Sequence, residues 1–196
     1  MKSCLRALLA FMFLAGGMAF AQSSPDALVK ATVDEVLAVM RQNKDPKTLV
    51  GLAEQKVLPH FDFSRMTQLA VGRQWKEATA AQQKALEDGF RTLLVNTYSA
   101  AISNGVTPAD KIEVKPAQGS GDDVMVKTIV HRSGKASVPV DYRLAKKGDA
   151  WKVYDVTVES VSLVQTYRGT FSAEISRSGI DGLIKVLEQK NAVKAS

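Results

Sequence analysis

His60, His131 and Cys4 are the only imidazole and thiol side chains in the 196-residue chain. The histidines fall on separate elements and Cys4 lies close to the N-terminus, so no transition-metal ligand set can be written from His and Cys spacing. Each histidine reads better as a satisfied or surface side chain. A hydrolytic serine would need Gly-x-Ser-x-Gly on a strand-to-helix turn. The nearest approach, Ala101-Ile102-Ser103-Asn104-Gly105, lacks the first glycine and sits at a helix end. Gly119-Ser120-Gly121 lacks the spacing and the following lysine of a phosphate loop and reads as a hairpin turn. One carboxylate stands out. Asp155 lies mid-strand between Tyr154 and Val156, where burial could make it a general base, with Tyr98 or Tyr142 as the acid. The spacing gives it no evident catalytic partner, and a structural hydrogen bond to a loop or helix cap is the preferred reading.

The N-terminus reads as an export signal. Lys2 and Arg6 form a basic start, Leu8 to Leu14 an unbroken apolar run, and Ala19-Phe20-Ala21 a small-residue cleavage pattern. The Gly16-Gly17 break comes before the run is long enough to span a bilayer. Residues 1–21 are therefore expected to be removed, leaving a single domain over 22–188 and a polar, frayed tail over 189–196. Cys4 precedes the apolar run, which is the wrong side for a lipoprotein anchor, and it leaves with the leader, so no disulfide is expected. The net charge of +6 is mild and scattered, with no dense stripe to track a nucleic acid. An exported basic chain more plausibly meets anionic headgroups or an acidic partner.

Periodicity supplies the elements that must position any site. Ser24 can cap a helix with Pro25 in its first turn, and Val29, Val33, Val36, Leu37 and Met40 form its apolar stripe. Asp45-Pro46 starts a second helix with Leu49, Leu52, Ala53 and Val57, ended by Pro59. A third runs from about Ser64 to Val71, between Asp62 and Gly72. Thr79-Ala80-Ala81-Gln82 is a capping box, after which Leu86, Phe90, Leu93, Leu94, Thr97, Tyr98 and Ile102 share one face until Gly105. From Lys111 the period becomes two. Ile112 and Val114, Asp122 to His131, Ala136 to Ala145, and Trp151 to Glu159 read as four antiparallel strands joined by Gly-rich turns. Val138, Val140, Tyr142 and Leu144 face one way while Pro139, Asp141 and Arg143 face the other, so one face of the sheet is buried and one is wet. A helical stripe of Leu163, Val164, Tyr167, Phe171 and Ile175 ends at Gly179, and Asp181 starts a last helix with Leu183, Ile184 and Leu187. Helices, then sheet, then helices describe an α+β fold with helices on one face of the sheet.

Certain residues in this frame form a familiar pattern. Trp151-Lys152-Val153-Tyr154-Asp155-Val156, followed by Glu159-Ser160-Val161-Ser162-Leu163-Val164 and Tyr167-Arg168, resembles the MlaC family of periplasmic phospholipid-transport proteins, also called toluene-tolerance auxiliary components of an ABC transport system. Weaker matches span nearly the whole mature chain: Pro59 with Asp62-Phe63, Gly72 with Trp75, Thr79 with Gln82, Leu94 with Thr97-Tyr98, Val140 with Tyr142, and Gly179-Ile180-Asp181 with Leu183-Ile184. Ser160 departs from the pattern, which has glycine there. If that position takes a positive φ, a serine is strained.

The resemblance implies a soluble periplasmic carrier and not an enzyme, with bound phospholipid as its ligand and no cofactor. It implies transport between outer and inner membranes, with an outer-membrane lipoprotein complex and an inner-membrane ABC transporter acting through a membrane-anchored substrate-binding subunit. A monomer that binds no nucleic acid is expected. The implied fold is a twisted antiparallel four-stranded sheet with helices over its concave face, enclosing the acyl chains in an apolar cavity. The expected lining is Val138, Val140, Tyr142 and Val153 from the sheet and Leu94, Tyr98, Leu163, Tyr167 and Phe171 from facing helices, with Val161 near the mouth. Arg143, Arg168 or Lys152 could meet a phosphate. Amphipathic pattern reports burial alone, so the same residues could fill a packed core in a purely structural envelope adaptor, and Asp155 keeps the enzyme reading open.

Overall fold

The computed structural model describes residues 23–42, 51, 53–105 and 110–195. The expected leader and most of the expected second helix (Asp45, Pro46, Leu49, Leu52) lie outside these residues. Among the described residues the long helices are α1 Pro25–Gln42, α2 Phe63–Val71, α3 Ala80–Gly105 and α4 Leu163–Ala195. Their starts follow the local chemistry. The Ser24 hydroxyl accepts from Ala27 N at the head of α1, and the Asp62 carboxylate accepts from Arg65 N at the head of α2. Thr79 and Gln82 close a reciprocal capping box before α3. Gly72 (φ 74°) ends α2, and Gly179 (φ 72°, ψ −176°) breaks α4 into two arms. Gln82 donates to Asp181 across the break, tying the second arm to the start of α3. That arm continues as helix through Gln189 to Ala195, over the stretch expected to be a loose tail.

Between α3 and α4 lies one antiparallel sheet of six strands rather than the four expected: β1 Lys111–Val114, β2 Gln118–Ser120, β3 Asp123–His131, β4 Val138–Lys147, β5 Ala150–Val158 and β6 Val161–Ser162. The order is β1-β3-β4-β5-β6, with β2 also paired to β3. The two additional strands have physical causes. Pro116 cannot donate to a ladder, and the edge beside β3 is therefore split into β1 and β2. The stretch first read as a turn, Gly119-Ser120, is strand, and the chain reverses at Gly121 and Asp122. At the other edge, Glu159 and Ser160 both take positive φ and fold back the two residues of β6 against Thr157 and Val158.

The register of β4 against β5 slips between Arg143, opposite Asp155, and Leu144, opposite Val153. Tyr154 is the extra residue of this bulge. The slip leaves four successive residues, Val153 to Val156, buried, and sends Val153 and Tyr154 into different cores. Val153 and Val156 join Val29, Val124, Val126 and Leu144 on one face of the sheet. Tyr154 and Ala145 join the core of α2, α3 and α4, where Met66, Leu86, Phe90, Phe171, Leu183 and Leu187 are almost fully buried. A polar lock fixes α2 over the bulge. The Tyr154 hydroxyl donates to Asp123 at 2.7 Å, Arg65 bonds the same carboxylate at 3.0 Å, and the Arg65 guanidinium lies 3.7 Å from the Tyr154 ring centre.

Candidate functional site

Asp155 is buried, and its oxygens are committed. Oδ1 accepts from Val164 N at 3.2 Å and Oδ2 from the Ser162 hydroxyl at 2.7 Å, while the Ser162 oxygen accepts from Gln165 N at 3.1 Å. Together they satisfy the free N–H groups at the head of α4. The carboxylate is a helix cap. Tyr98 and Tyr142, the acids of the enzyme reading, are not among its partners: Tyr98 lies with Tyr167 in the helical core, and Tyr142 lies on the opposite face of the sheet. Among the described residues no group of His, Cys, Asp and Glu could hold a metal ion.

The other expected site residues fall into two groups and two outliers. Leu94, Tyr98, Tyr167 and Phe171 belong to the helical core. Phe90 meets the rings of Tyr167 and Phe171 edge-on, each at 5.0 Å. Val140, Tyr142, Val153 and Leu163 belong to the apolar face of the sheet. Val138 continues that face beyond the cluster, opposite Val130, and Val161 stands 58% exposed on the β5–β6 hairpin. Of the cations considered for a phosphate, Lys152 donates to the Pro59 carbonyl at 2.6 Å. Arg143 leans on the Tyr154 ring and Asp123, across the sheet from Tyr142, and the Arg168 guanidinium lies over Gly72.

The sheet face is apolar but unevenly covered. Val124, Val126, Val130, Leu144, Val153 and Val156 are buried, whereas Val114, Val138, Val140, Tyr142, Val158 and Leu163 are covered only in part. The one hydroxyl on this face of β3, that of Thr128, donates to the Val140 carbonyl at 2.6 Å and is spent. Burial pushes the Tyr142 phenol on this face up to about 12. The same desolvation, aided by Tyr167, holds the Tyr98 phenol at about 12.

Some residues of this face escaped the sequence reading. Val124 and Val126 alternate as clearly as the β4 residues and could have been named with them. Val29 and Val33 were legible as a helix stripe but not as a cover for the sheet. Phe61, which touches both cores, had no periodic signal. It is placed by the Asp62 N–H bond to the Val153 carbonyl at 2.8 Å.

Comparison with known proteins gives this arrangement its family. The family model for MlaC proteins matches residues 30–189. The chain belongs to the MlaC family. A relative from Haemophilus influenzae, the intermembrane phospholipid transport system binding protein MlaC, is 24% identical over 185 residues, covering 90% of this chain and 86% of its own. A toluene tolerance protein of Pseudomonas putida is 24% identical over 172 residues, covering 82% and 77%. Among solved structures, the phospholipid-binding protein from Ralstonia solanacearum in complex with a phospholipid is 36% identical. It superposes with a TM-score of 0.80 over 89% of this chain and 100% of that one. MlaC membership places the chain among binding proteins and not enzymes, in keeping with the capping role of Asp155.

Proposed function

We propose that this MlaC protein is a soluble periplasmic carrier, exported by a cleaved leader, that holds phospholipid by its acyl chains. It shuttles lipid between outer and inner membranes within an ABC-type transport system. The observation that carries the reading is the partly covered apolar face of the sheet around Val140, Tyr142, Val158 and Leu163, in a chain whose solved relative carries phospholipid. Exposing an acyl chain to water costs about 0.8 kcal/mol per methylene, on the order of 13 kcal/mol for about sixteen carbons. A largely aliphatic wall, in which the Thr128 hydroxyl is already bonded, removes that cost without asking the acyl chain for a specific hydrogen bond. Val153 and Val156 form its base, Val138 its rim, and Leu94, Tyr98, Tyr167 and Phe171 the helical support behind it. The exposed Val161 lies at the mouth. Delivery calls for an outer-membrane lipoprotein complex at one end and a membrane-anchored subunit of an ABC transporter at the other.

Native mass spectrometry of the mature protein purified without detergent tests this reading. Phospholipid should co-purify, and Val140→Trp, which fills the space without removing a wall, should lower its occupancy several-fold in a folded protein. A clean apo mass, with no uptake from phospholipid vesicles, would exclude the carrier.

A further inference from the structure

Where the apolar face of the sheet is covered only in part, Tyr142 interrupts its aliphatic surface. Val114, Val138, Val140, Val158 and Leu163 offer no polar side-chain atom there, whereas Tyr142 brings a phenol. Its neighbours on that face are apolar on every side. Val126 stands opposite on β3 and Val156 on β5, with Val140 and Leu144 before and after it on β4. Three other hydroxyls on the sheet are committed: Thr128 donates to the Val140 carbonyl, Tyr154 to Asp123 and Ser162 to Asp155. The Tyr142 hydroxyl has no hydrogen-bond partner among the described residues, and burial alone raises its pKa, with no neighbouring charge acting on it.

A phenol held among apolar side chains without an acceptor forfeits a hydrogen bond, which proteins rarely leave unmatched. Tyr142 is still partly exposed, so an arriving ligand can reach it. The chemistry of a phospholipid narrows the match. Its methylenes accept nothing, and the acceptors nearest its chains are phosphate oxygens and ester carbonyls. A phosphate brought against these valines would be desolvated without a counter-charge, since Arg143 lies across the sheet on Tyr154 and Asp123 and Lys152 is bound to Pro59. The ester carbonyl is neutral and joins directly to the chain that the wall covers.

We propose that Tyr142 is a specificity-determining residue of the lipid site, its hydroxyl donating to an ester carbonyl of the bound lipid and so selecting acyl esters over alkyl ethers. The inference rests on the carrier reading and deepens it. A site that holds a donor out of water discriminates against the analogue without the acceptor, because the donor is then left unpaired.

The test compares dioleoyl-phosphatidylglycerol with its dioleyl ether counterpart, which has the same headgroup and chain length but no carbonyls. Each is offered in vesicles to delipidated mature protein and counted by native mass spectrometry. Wild type should take the ester over the ether roughly tenfold. Tyr142→Phe, which keeps the ring and its packing, should take up the ether as wild type does and lose the preference. An isotope label in the ester carbonyls adds a readout that packing does not move: their infrared stretch should lie at lower frequency in wild type than in Tyr142→Phe. Equal uptake of ester and ether by wild type, an ester preference that survives in Tyr142→Phe, or an equal loss of both lipids in that variant would each overturn the proposal and leave the carrier standing. Uptake of neither lipid by the folded wild type would remove the carrier reading and this inference with it.

Discussion

Ser160 carries a backbone conformation that L-residues avoid. Its φ of 70°, beside Glu159 at 48°, is what folds β6 back onto β5, and a left-handed non-glycine residue costs roughly 1–2 kcal/mol. Ser160→Gly should raise stability by about 0.5–1 kcal/mol once the larger unfolded-state entropy of glycine is set against the relief. That corresponds to roughly 1–4 °C in Tm for a chain of this size, and a melt that does not move would show the turn to be unstrained. Tyr142 makes a prediction of the opposite sign in pH. Folded Tyr142 and Tyr98 keep their protons to about 12, while unfolded phenols ionise near about 10. Between those values the unfolded chain binds fewer protons, so stability is full below about pH 10 and falls as pH climbs towards about 12. Denaturant midpoints should decline across that window, and Tyr142→Phe should flatten the decline. A flat wild-type profile would contradict the buried phenol.

The elements divide into those that announce themselves and those that depend on a neighbour. Thr79 and Gln82 bond each other's backbone at the head of α3, a contact made within four residues and therefore visible in sequence. Thr79→Ala should cost about 1 kcal/mol, read as a lower urea midpoint at unchanged m-value. An unchanged midpoint would mean that tertiary contacts alone hold the start of α3. The same locality made the heads of α1 and α2, the stop at Gly72 and the break at Gly179 legible. β2 and β6 were not. Three residues of strand on the far side of Pro116, and two after a turn whose residues are not glycine, carry no alternation long enough to read. The bulge at Tyr154 is likewise silent, because period-two alternation says nothing of an extra residue until the partner strand fixes the register.

At the scale of the molecule, the proposed carrier should be stabilised by its cargo. Ligand at about 100 times its Kd adds roughly 2.7 kcal/mol to the folded state. Delipidated protein should therefore melt lower than protein as purified and regain its Tm when phospholipid is returned, as followed by calorimetry. Identical melts would argue that the apolar face closes on itself and has no need of lipid.

Helix caps, period-two valines and short motifs determined, by themselves, the helix-sheet-helix order, the breaks at Gly72 and Gly179 and the family resemblance. All of these rest on residues within a few positions of one another. Only the tertiary structure decided that Asp155 caps α4, that Tyr154 and Val153 enter different cores, that Phe61 reaches both, and that Val140, Tyr142 and Val158 are left partly uncovered while Leu144 and Val153 are sealed. Pattern specifies which side chains leave water. Whether the space they enter is filled by other side chains depends on how distant segments pack, and that depends on contacts made across the whole chain.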